Sequence, residues 1–203
     1  MKKYVDIICI LDRSGSMKSI LNDAIGGYNT FLEEQQNEEG LARLTNILFS
    51  SDYMIKENNV DIKSVPQFTT ETYVPSGFTA LYDAIGKTID DRIEWLSSVP
   101  KEERPEKTLC VILTDGEENS SRKYKKEQIK SKITEMREDF DWEFIFLAAN
   151  QDATLAADSI GIAKSNSLNF SADSEGTRIA YANMSKATKS YRSSSKKTGL
   201  FDK

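Results

Sequence analysis

Short apolar runs alternate along the chain with longer segments whose apolar residues recur at helical spacing, and this alternation constrains the fold more than any other feature. It is typical of an α/β domain, in which helices cover both faces of a mostly parallel sheet. The predicted strands are 5–11, 44–50, 53–57, 107–113, 143–149 and 168–170. The predicted helices begin at 17, 81, 129, 153 and 176, and the last ends at 189. We therefore expect a doubly wound sheet of about six strands.

One connection in this series differs from the others. Ser51 and Asp52 separate the second and third predicted strands, a spacing that indicates a hairpin. The sheet is then mostly parallel with one antiparallel edge strand. Residues 58–75 show no strong helical period, so we expect irregular structure there.

A polar turn follows the first predicted strand directly, with the pattern Asp12-x-Ser14-x-Ser16. Open α/β sheets bind their ligands at the carboxyl ends of strands. The turn offers one carboxylate and two hydroxyls, which are the oxygen ligands that Mg²⁺ and Ca²⁺ prefer. Taken alone, the pattern also fits an ordinary turn, since Ser, Asp and Gly are common turn residues.

Two later segments add the same kind of chemistry. Thr79 stands just before the helix predicted to begin at 81, and Asp115 follows the apolar run 107–113. With these additions the chain resembles the von Willebrand factor A (vWA) family, whose metal-ion-dependent adhesion site (MIDAS) combines an Asp-x-Ser-x-Ser turn, a threonine before a helix and a later strand-end aspartate. The five places are filled by Asp12, Ser14, Ser16, Thr79 and Asp115. The resemblance covers about residues 3–189.

The resemblance implies a Rossmann-like vWA fold with a complete MIDAS. It implies a divalent cation, with Mg²⁺ the leading candidate and Mn²⁺ or Ca²⁺ also possible, and a partner protein that offers an Asp or Glu to the metal. Hydroxyl ligands are neutral, so a cation held mainly by Ser14, Ser16 and Thr79 keeps charge with which to attract an anionic oxygen. We therefore expect a metal-dependent protein-binding module or scaffold, and not an enzyme.

Four residues next to the expected ligands are candidates for a partner-binding rim: Arg13, Phe78, Glu117 and Glu118. Arg13 either attracts an acidic ligand or pairs with a neighbouring carboxylate. Phe78 either contacts the partner or packs within its loop. The two glutamates would repel an acidic ligand unless they turn away or pair with nearby basic residues.

Two alternatives stay open. The first is a magnesium-dependent hydrolase or phosphotransferase in which Asp12 attacks phosphorus or Glu117 activates water. The pattern of aspartate-nucleophile phosphatases would require a second Asp in place of Ser14, and the chain has no Gly-x-x-x-x-Gly-Lys-Ser/Thr loop. The second is a structural domain without a functional metal, in which Ser16 and Thr79 cap helices.

Composition excludes several classes of function. The chain has 203 residues, 38% hydrophobic and 29% charged, which is ordinary for one globular domain. The net charge of −5 argues against general nucleic-acid binding. The absence of histidine excludes imidazole-dependent hydrolysis within the chain, and two cysteines cannot complete a Cys/His zinc site. Cys9 and Cys110 lie in apolar runs, so we expect buried, reduced thiols.

The two ends of the chain complete the prediction. We find no signal-peptide pattern at the N-terminus and no segment of membrane-spanning length, so we expect no membrane association and a cytoplasmic location, in a bacterial or phage scaffold by analogy. Residues 186–203 hold six Lys or Arg against one Asp. We therefore divide the chain into a vWA domain, 1–190, and a basic, flexible tail, 191–203. The tail is either a solvated terminus or a segment that contacts an acidic partner or the acidic body. The sequence leaves the oligomeric state open.

Overall fold

The computed structural model describes residues 3–193 and 199–201. Over these residues the strands form one six-stranded sheet in the order β3-β2-β1-β4-β5-β6. The strands are β1 (Val5–Asp12), β2 (Ala42–Phe49), β3 (Tyr53–Asp61), β4 (Lys107–Thr114), β5 (Trp142–Ala149) and β6 (Ser167–Phe170). Neighbouring strands are parallel except β2 and β3, which are antiparallel. The predicted mixed sheet with one antiparallel edge strand is confirmed.

Five α-helices cover the two faces of this sheet in the described residues. They are α1 (Leu21–Asn37), α2 (Leu81–Ser98), α3 (Lys126–Asp139), α4 (Ala153–Ser159) and α5 (Ser174–Ser193). Buried residues of α1 and α5 share one hydrophobic core, and those of α2, α3 and α4 share the other. None of the described helices is long and apolar enough to cross a membrane.

The central strands contribute to both cores, which explains their continuous apolar sequences. In β1, Ile7 and Cys9 face the core under α1 and α5, whereas Ile8 and Ile10 face the core under α2 and α3. A strand that is buried on both faces is expected to be apolar along its length, and β1 departs from this only at Asp6 and Asp12. Cys9 and Cys110 are buried free thiols, as predicted.

The predicted element boundaries differ from the structure mainly at polar segments. β3 extends to Asp61, four residues past the prediction, and a 3₁₀-helix follows at Ile62–Ser64. Most of β3 is at least partly exposed, so its sequence lacks a strong apolar pattern, and Asn59 has a left-handed φ of 53° beside an irregularity in the pairing. A 3₁₀-helix, Gly15–Ile20, occupies the start of the first predicted helix, so α1 begins only at Leu21.

The end of the chain is described only in part. Helix α5 continues to Ser193, past the predicted end at 189. Beyond it, the Leu200 main-chain N–H donates to Asn166 Oδ1 over 3.0 Å, and Leu200 and Phe201 pack against the core under α1 and α5. The rest of the predicted tail, 194–198 and 202–203, lies outside the described residues, so its division from the domain and its binding role stay predictions.

Candidate metal site

The sheet brings the predicted site residues to one edge. Asp12 is the last residue of β1, Asp115 directly follows β4, and Thr79 lies two residues before α2. Strands β1 and β4 are parallel neighbours, with Leu11 opposite Leu113, so both end at the same edge. The site therefore lies where an open α/β sheet is expected to hold a ligand.

Hydrogen bonds connect the two aspartates through the serines. The Ser14 main-chain N–H donates to Asp12 Oδ1 over 2.6 Å, and the hydroxyls of Ser14 and Ser16 are 3.1 Å apart. The Ser16 hydroxyl donates to Asp115 Oδ1 over 2.7 Å. Asp12, Ser14 and Asp115 are buried, whereas Ser16 is exposed. The arrangement is a buried polar cluster that opens to solvent at Ser16.

Thr79 lies beside this cluster, on the loop before α2. Asn119 holds its main chain on both sides, because the Asn119 side chain accepts from Thr79 N over 2.9 Å and Asn119 N donates to Thr79 O over 3.0 Å. A Cβ atom on Gly116 would lie 3.8 Å from the Thr79 hydroxyl, which places this hydroxyl beside the residue that follows Asp115. We call the five residues Asp12, Ser14, Ser16, Thr79 and Asp115 the cradle.

The loop that carries Thr79 is fixed to the first turn by main-chain bonds. Gly15 N donates to Gly77 O over 3.0 Å, and Ser76 N donates to Arg13 O over 2.8 Å. Gly77 has a φ of 74°, and a Cβ atom there would lie 2.8 Å from Ser51 Oγ. Glycine is required at this position because any other side chain would be strained and would clash.

Residues that the sequence interpretation missed support the aspartates. The Thr114 hydroxyl donates to Asp12 Oδ2 over 2.6 Å, and the buried Tyr73 hydroxyl donates to the Asp12 main-chain oxygen. After β5, Asn150 donates to the Asp115 main-chain oxygen over 2.7 Å. Thr114 could have been found as the neighbour of Asp115. Nothing in the sequence marks Tyr73, which lies in the segment predicted to be irregular.

The electrostatics of the cradle favour a bound cation. The pKa of Asp12 is raised to about 6, mainly by burial and in small part by the nearby charge of Asp115. Burial also raises the pKa of Asp115. Among the described residues, no ion pair involves either aspartate, and the groups hydrogen-bonded to their carboxylates are hydroxyls and the Ser14 N–H. Buried carboxylates without a counter-charge are costly, and a cation would remove that cost.

The donor set determines which cation fits. The described residues contain no group of three or more His, Cys, Asp and Glu side chains placed to hold a metal, so a carboxylate cage or a thiolate site is not formed there. The cradle offers two carboxylates and three hydroxyls instead. An all-oxygen set with few charges suits a hard divalent cation that keeps part of its water.

Two predicted rim residues are engaged within the protein. Arg13 is 7% exposed and its Nη2 donates to both carboxylate oxygens of Asp52 over 2.6 Å, so it pairs with a neighbouring carboxylate, which is one of the two alternatives. Glu118 accepts from Ser121 N over 2.7 Å and from Tyr82 N, in the first turn of α2, over 3.0 Å. Its carboxylate therefore organises the loop and the helix start, which is the turning away that an acidic ligand would require.

The other two rim residues are exposed. Phe78 is 69% exposed, and Glu117 lies exposed on the loop after Asp115.

The cradle hydroxyls do not cap the neighbouring helices, because the N-terminus of the 3₁₀-helix and those of α1 and α2 have no side-chain cap bond. This observation weighs against the structural alternative, in which Ser16 and Thr79 serve as caps.

Solved structures share this fold. Proximal thread matrix protein 1 from the mussel byssus, with a zinc occupied MIDAS motif, has 14% identity and a TM-score of 0.63 over 93% of this chain and 46% of its own. The ArnB paralog VWA2 from Sulfolobus acidocaldarius has 16% identity and a TM-score of 0.58 over 88% of this chain and 44% of its own. Manganese-loaded TRAP protein from Plasmodium vivax has 16% identity and a TM-score of 0.61 over 88% of this chain and 72% of its own.

These similarities show the fold. No family model and no curated protein matches the sequence, and identities this low carry no function with them. The chain spans less than half of the mussel and Sulfolobus chains that it matches. The chain has the vWA fold, and its function has to be argued from the chemistry of the cradle.

Proposed function

We propose that this vWA-fold chain is a metal-dependent protein-binding module whose cradle is a MIDAS. It binds a divalent cation, with Mg²⁺ the leading candidate, and recognises an Asp or Glu of a partner protein. The observation that carries the proposal is the pair of buried aspartates, Asp12 and Asp115, which hydroxyls connect and no basic side chain among the described residues neutralises.

The existing hydrogen bonds suggest how the ligands divide. Both carboxylate oxygens of Asp12 already accept bonds, from Ser14 N and from the Thr114 hydroxyl. Asp12 is therefore suited to bind through water, and the hydroxyls of Ser14, Ser16 and Thr79 are suited to bind directly. A cation held mainly by neutral hydroxyls supplies a position for an external anionic oxygen.

Exposure supports an external ligand. Ser16 opens to solvent, and Arg13 and Glu118 are turned into the protein, so an approaching carboxylate meets neither of these charges first. The mussel protein with its zinc occupied MIDAS motif and the manganese-loaded TRAP protein support the binding of a divalent cation by this fold. The specific claim about the partner is that it supplies an acidic residue to the cation.

The hydrolase alternative is less compatible with the geometry. A nucleophilic aspartate needs a free oxygen that faces the substrate. Asp12 is fully buried and both its oxygens are engaged. We therefore expect no Mg²⁺-dependent turnover of a generic phosphoester such as p-nitrophenyl phosphate, and turnover abolished by Asp12→Asn would revive the alternative.

Calorimetry tests the metal site. We expect the wild-type protein to bind one Mg²⁺ or Mn²⁺, and Asp12→Asn to weaken that affinity at least tenfold because the cation then loses one of the two negative charges that attract it. Asp158→Asn, a change of an exposed aspartate on α4, is the matched control and should bind like wild type. Absent binding in the wild type, or full binding by Asp12→Asn, would refute the proposal.

Affinity capture from the source cell tests the binding role. Wild type and the double variant Asp12→Ala/Ser14→Ala are compared in Mg²⁺, and only partners that the variant loses are kept. For such a partner, changing its contacting Asp or Glu to the amide should weaken binding as much as Asp12→Ala does. Equal affinity in Mg²⁺ and in chelator would contradict a metal-bridged contact.

A further inference from the structure

The most exposed large apolar side chains of the described residues lie at the cradle edge of the sheet. They are Phe78 at 69%, Leu155 at 63% and Val74 at 51%. At the opposite edge, Leu41 before β2 is 48% exposed and Phe140 after α3 is 43% exposed. Exposed apolar groups that concentrate beside a polar site indicate an interaction surface. Phe78 is the largest of the three and is adjacent in sequence to a cradle residue.

Phe78 stands at the lip of the cradle. Its neighbour Thr79 is only 3% exposed and its hydroxyl faces Gly116, whereas the Phe78 ring is directed to solvent. Consecutive Cα atoms are about 3.8 Å apart, so the main chain that carries the ring adjoins the main chain of Thr79, a proposed ligand. The exposed ring therefore belongs to the loop that borders the cradle.

The main chain on both sides of Phe78 is held in place. Phe78 N donates to the Ser51 hydroxyl over 2.8 Å, Gly77 O accepts from Gly15 N over 3.0 Å, and Thr79 N donates to Asn119 over 2.9 Å. An aromatic side chain on a fixed main chain loses little conformational entropy when it is covered. Exposed rings of this kind are frequent anchors in protein interfaces.

The stability of the fold does not account for this ring. Phe78 belongs to neither hydrophobic core, and none of the ring-to-ring or cation–π contacts among the described residues includes it. Its main-chain N–H, which bonds Ser51, would be present with any residue except proline. The side chain is therefore available for a role outside the folded chain.

We propose that the partner segment combines two features: the Asp or Glu that reaches the cradle cation, and an aromatic or branched aliphatic side chain one or two residues away that packs on Phe78. The inference rests on the proposed function and specifies the partner. In an extended segment, which rises about 3.3 Å per residue, the side chain two positions from the acid lies on the same face as the acid. The adjacent side chain reaches that face where the segment bends, so either can contact a ring at the lip of the cradle. The carboxylate then requires the metal, and Phe78 selects among acidic segments.

Peptide display provides the test. Two libraries of ten-residue peptides with random flanks, one with a fixed Glu and one with Gln in its place, are selected on the full chain in Mg²⁺ and in chelator. Wild type should enrich aromatic or aliphatic residues one or two positions from the Glu. Selection on Phe78→Ser should lose this enrichment and keep the requirement for Glu, whereas Phe78→Leu should retain it in part. Phe140→Ser, which changes an exposed phenylalanine at the opposite edge, should select like wild type.

Affinities measured by fluorescence anisotropy complete the test. The best wild-type peptide should bind Phe78→Ser at least tenfold more weakly and Phe140→Ser within about twofold of wild type. Acidic peptides without an apolar preference would overturn the inference and leave the metal-bridged function intact. Selection without any dependence on Glu or Mg²⁺ would overturn both. Loss of Mg²⁺ binding by Phe78→Ser would show that the residue acts through the cradle and would also refute the inference.

Discussion

Strand β1 carries a buried aspartate near each end, and the two have different surroundings. Asp6, 1% exposed, forms an ion pair with Arg92 of α2, and the Arg92 guanidinium stacks over the Trp95 ring with 4.0 Å to its centre. Asp12, 0% exposed, is bonded to a hydroxyl and a main-chain N–H instead. Within the described residues, the fold therefore supplies a counter-charge to Asp6 but not to Asp12.

The difference separates a structural carboxylate from a site. Burial raises the pKa of both aspartates, but the charge of Arg92 opposes this at Asp6, whereas the charge of Asp115 adds to it at Asp12. A buried charge is retained only if another group offsets the loss of its hydration. At Asp6 that group is Arg92, which is part of the fold. At Asp12 we propose that it is a cation from solution, so changes at the two ends should respond differently to Mg²⁺.

The largest effect is expected at Asp6, where the fold supplies the counter-charge. Arg92→Met should lower the free energy of unfolding by about 3–5 kcal/mol, because it leaves Asp6 buried without its partner. Urea unfolding measures the loss, which should be the same in Mg²⁺ and in chelator. The double variant Asp6→Leu/Arg92→Met should recover most of it, since it removes both charges. A single variant of wild-type stability would show that Asp6 is not dependent on Arg92.

The next largest effect is the pH dependence of stability that arises from Asp12. Asp12 has a folded pKa of about 6 against an ordinary value of 3.8, because it is buried. Between these two pKa values the metal-free folded protein holds a proton on Asp12 that the unfolded chain has lost. The stabilisation that this proton gives the folded state is complete below about pH 4 and is lost as the pH rises through about 6. Relative to Asp12→Asn, wild type in chelator should lose about 3 kcal/mol of stability over this window.

Unfolding of both proteins at several pH values, in chelator and in Mg²⁺, measures this difference. The comparison with Asp12→Asn is needed because Asp6 and Asp115 also have raised pKa values. Mg²⁺ should stabilise wild type increasingly as the pH rises through the same window, since binding favours the ionised Asp12. A difference between the two proteins that is flat with pH would contradict the burial argument.

A smaller effect is expected from the support beneath the cradle. Tyr73→Phe removes the hydroxyl that donates to the Asp12 main-chain oxygen and should lower the free energy of unfolding by about 0.5–1.5 kcal/mol. The ring stays in place, packed near Phe68 at 5.8 Å between ring centres. The Mg²⁺ affinity, measured by calorimetry, should fall with it. Tyr82→Phe, a change of a half-buried tyrosine, is the control and should keep that affinity.

The smallest effect on stability is expected from a direct ligand. Ser14→Ala should change the free energy of unfolding in chelator by less than about 1 kcal/mol, because its hydroxyl interacts within the cradle and belongs to neither core. Ile8→Ala, in the core, should cost about 2–5 kcal/mol in the same assay. Ser14→Ala should nevertheless weaken Mg²⁺ binding. If it unfolds the metal-free domain, the cradle is structural rather than a recognition site.

The sequence was sufficient where a feature depends on local pattern. The strands are apolar because they are buried, and each cradle residue stands next to a strand end or a helix start, so order along the chain predicts position in the sheet. The sequence was insufficient where a contact joins distant segments. The pairing of Arg13 with Asp52 and the bonds of Glu118 to the start of α2 depend on loops whose shape no periodic pattern encodes.

The sequence alone therefore determined the α/β class, the order of its elements and the five candidate ligands, because hydrophobic periodicity and the turn at a strand end are local properties. Only the tertiary structure decided which charges are compensated. Asp6 and Asp12 both belong to the apolar strand β1, but Arg92 is 86 residues from Asp6 and reaches it only through the packing of α2 on the sheet. Such distant contacts determine whether a buried carboxylate has a counter-charge within the fold or is available to bind a cation.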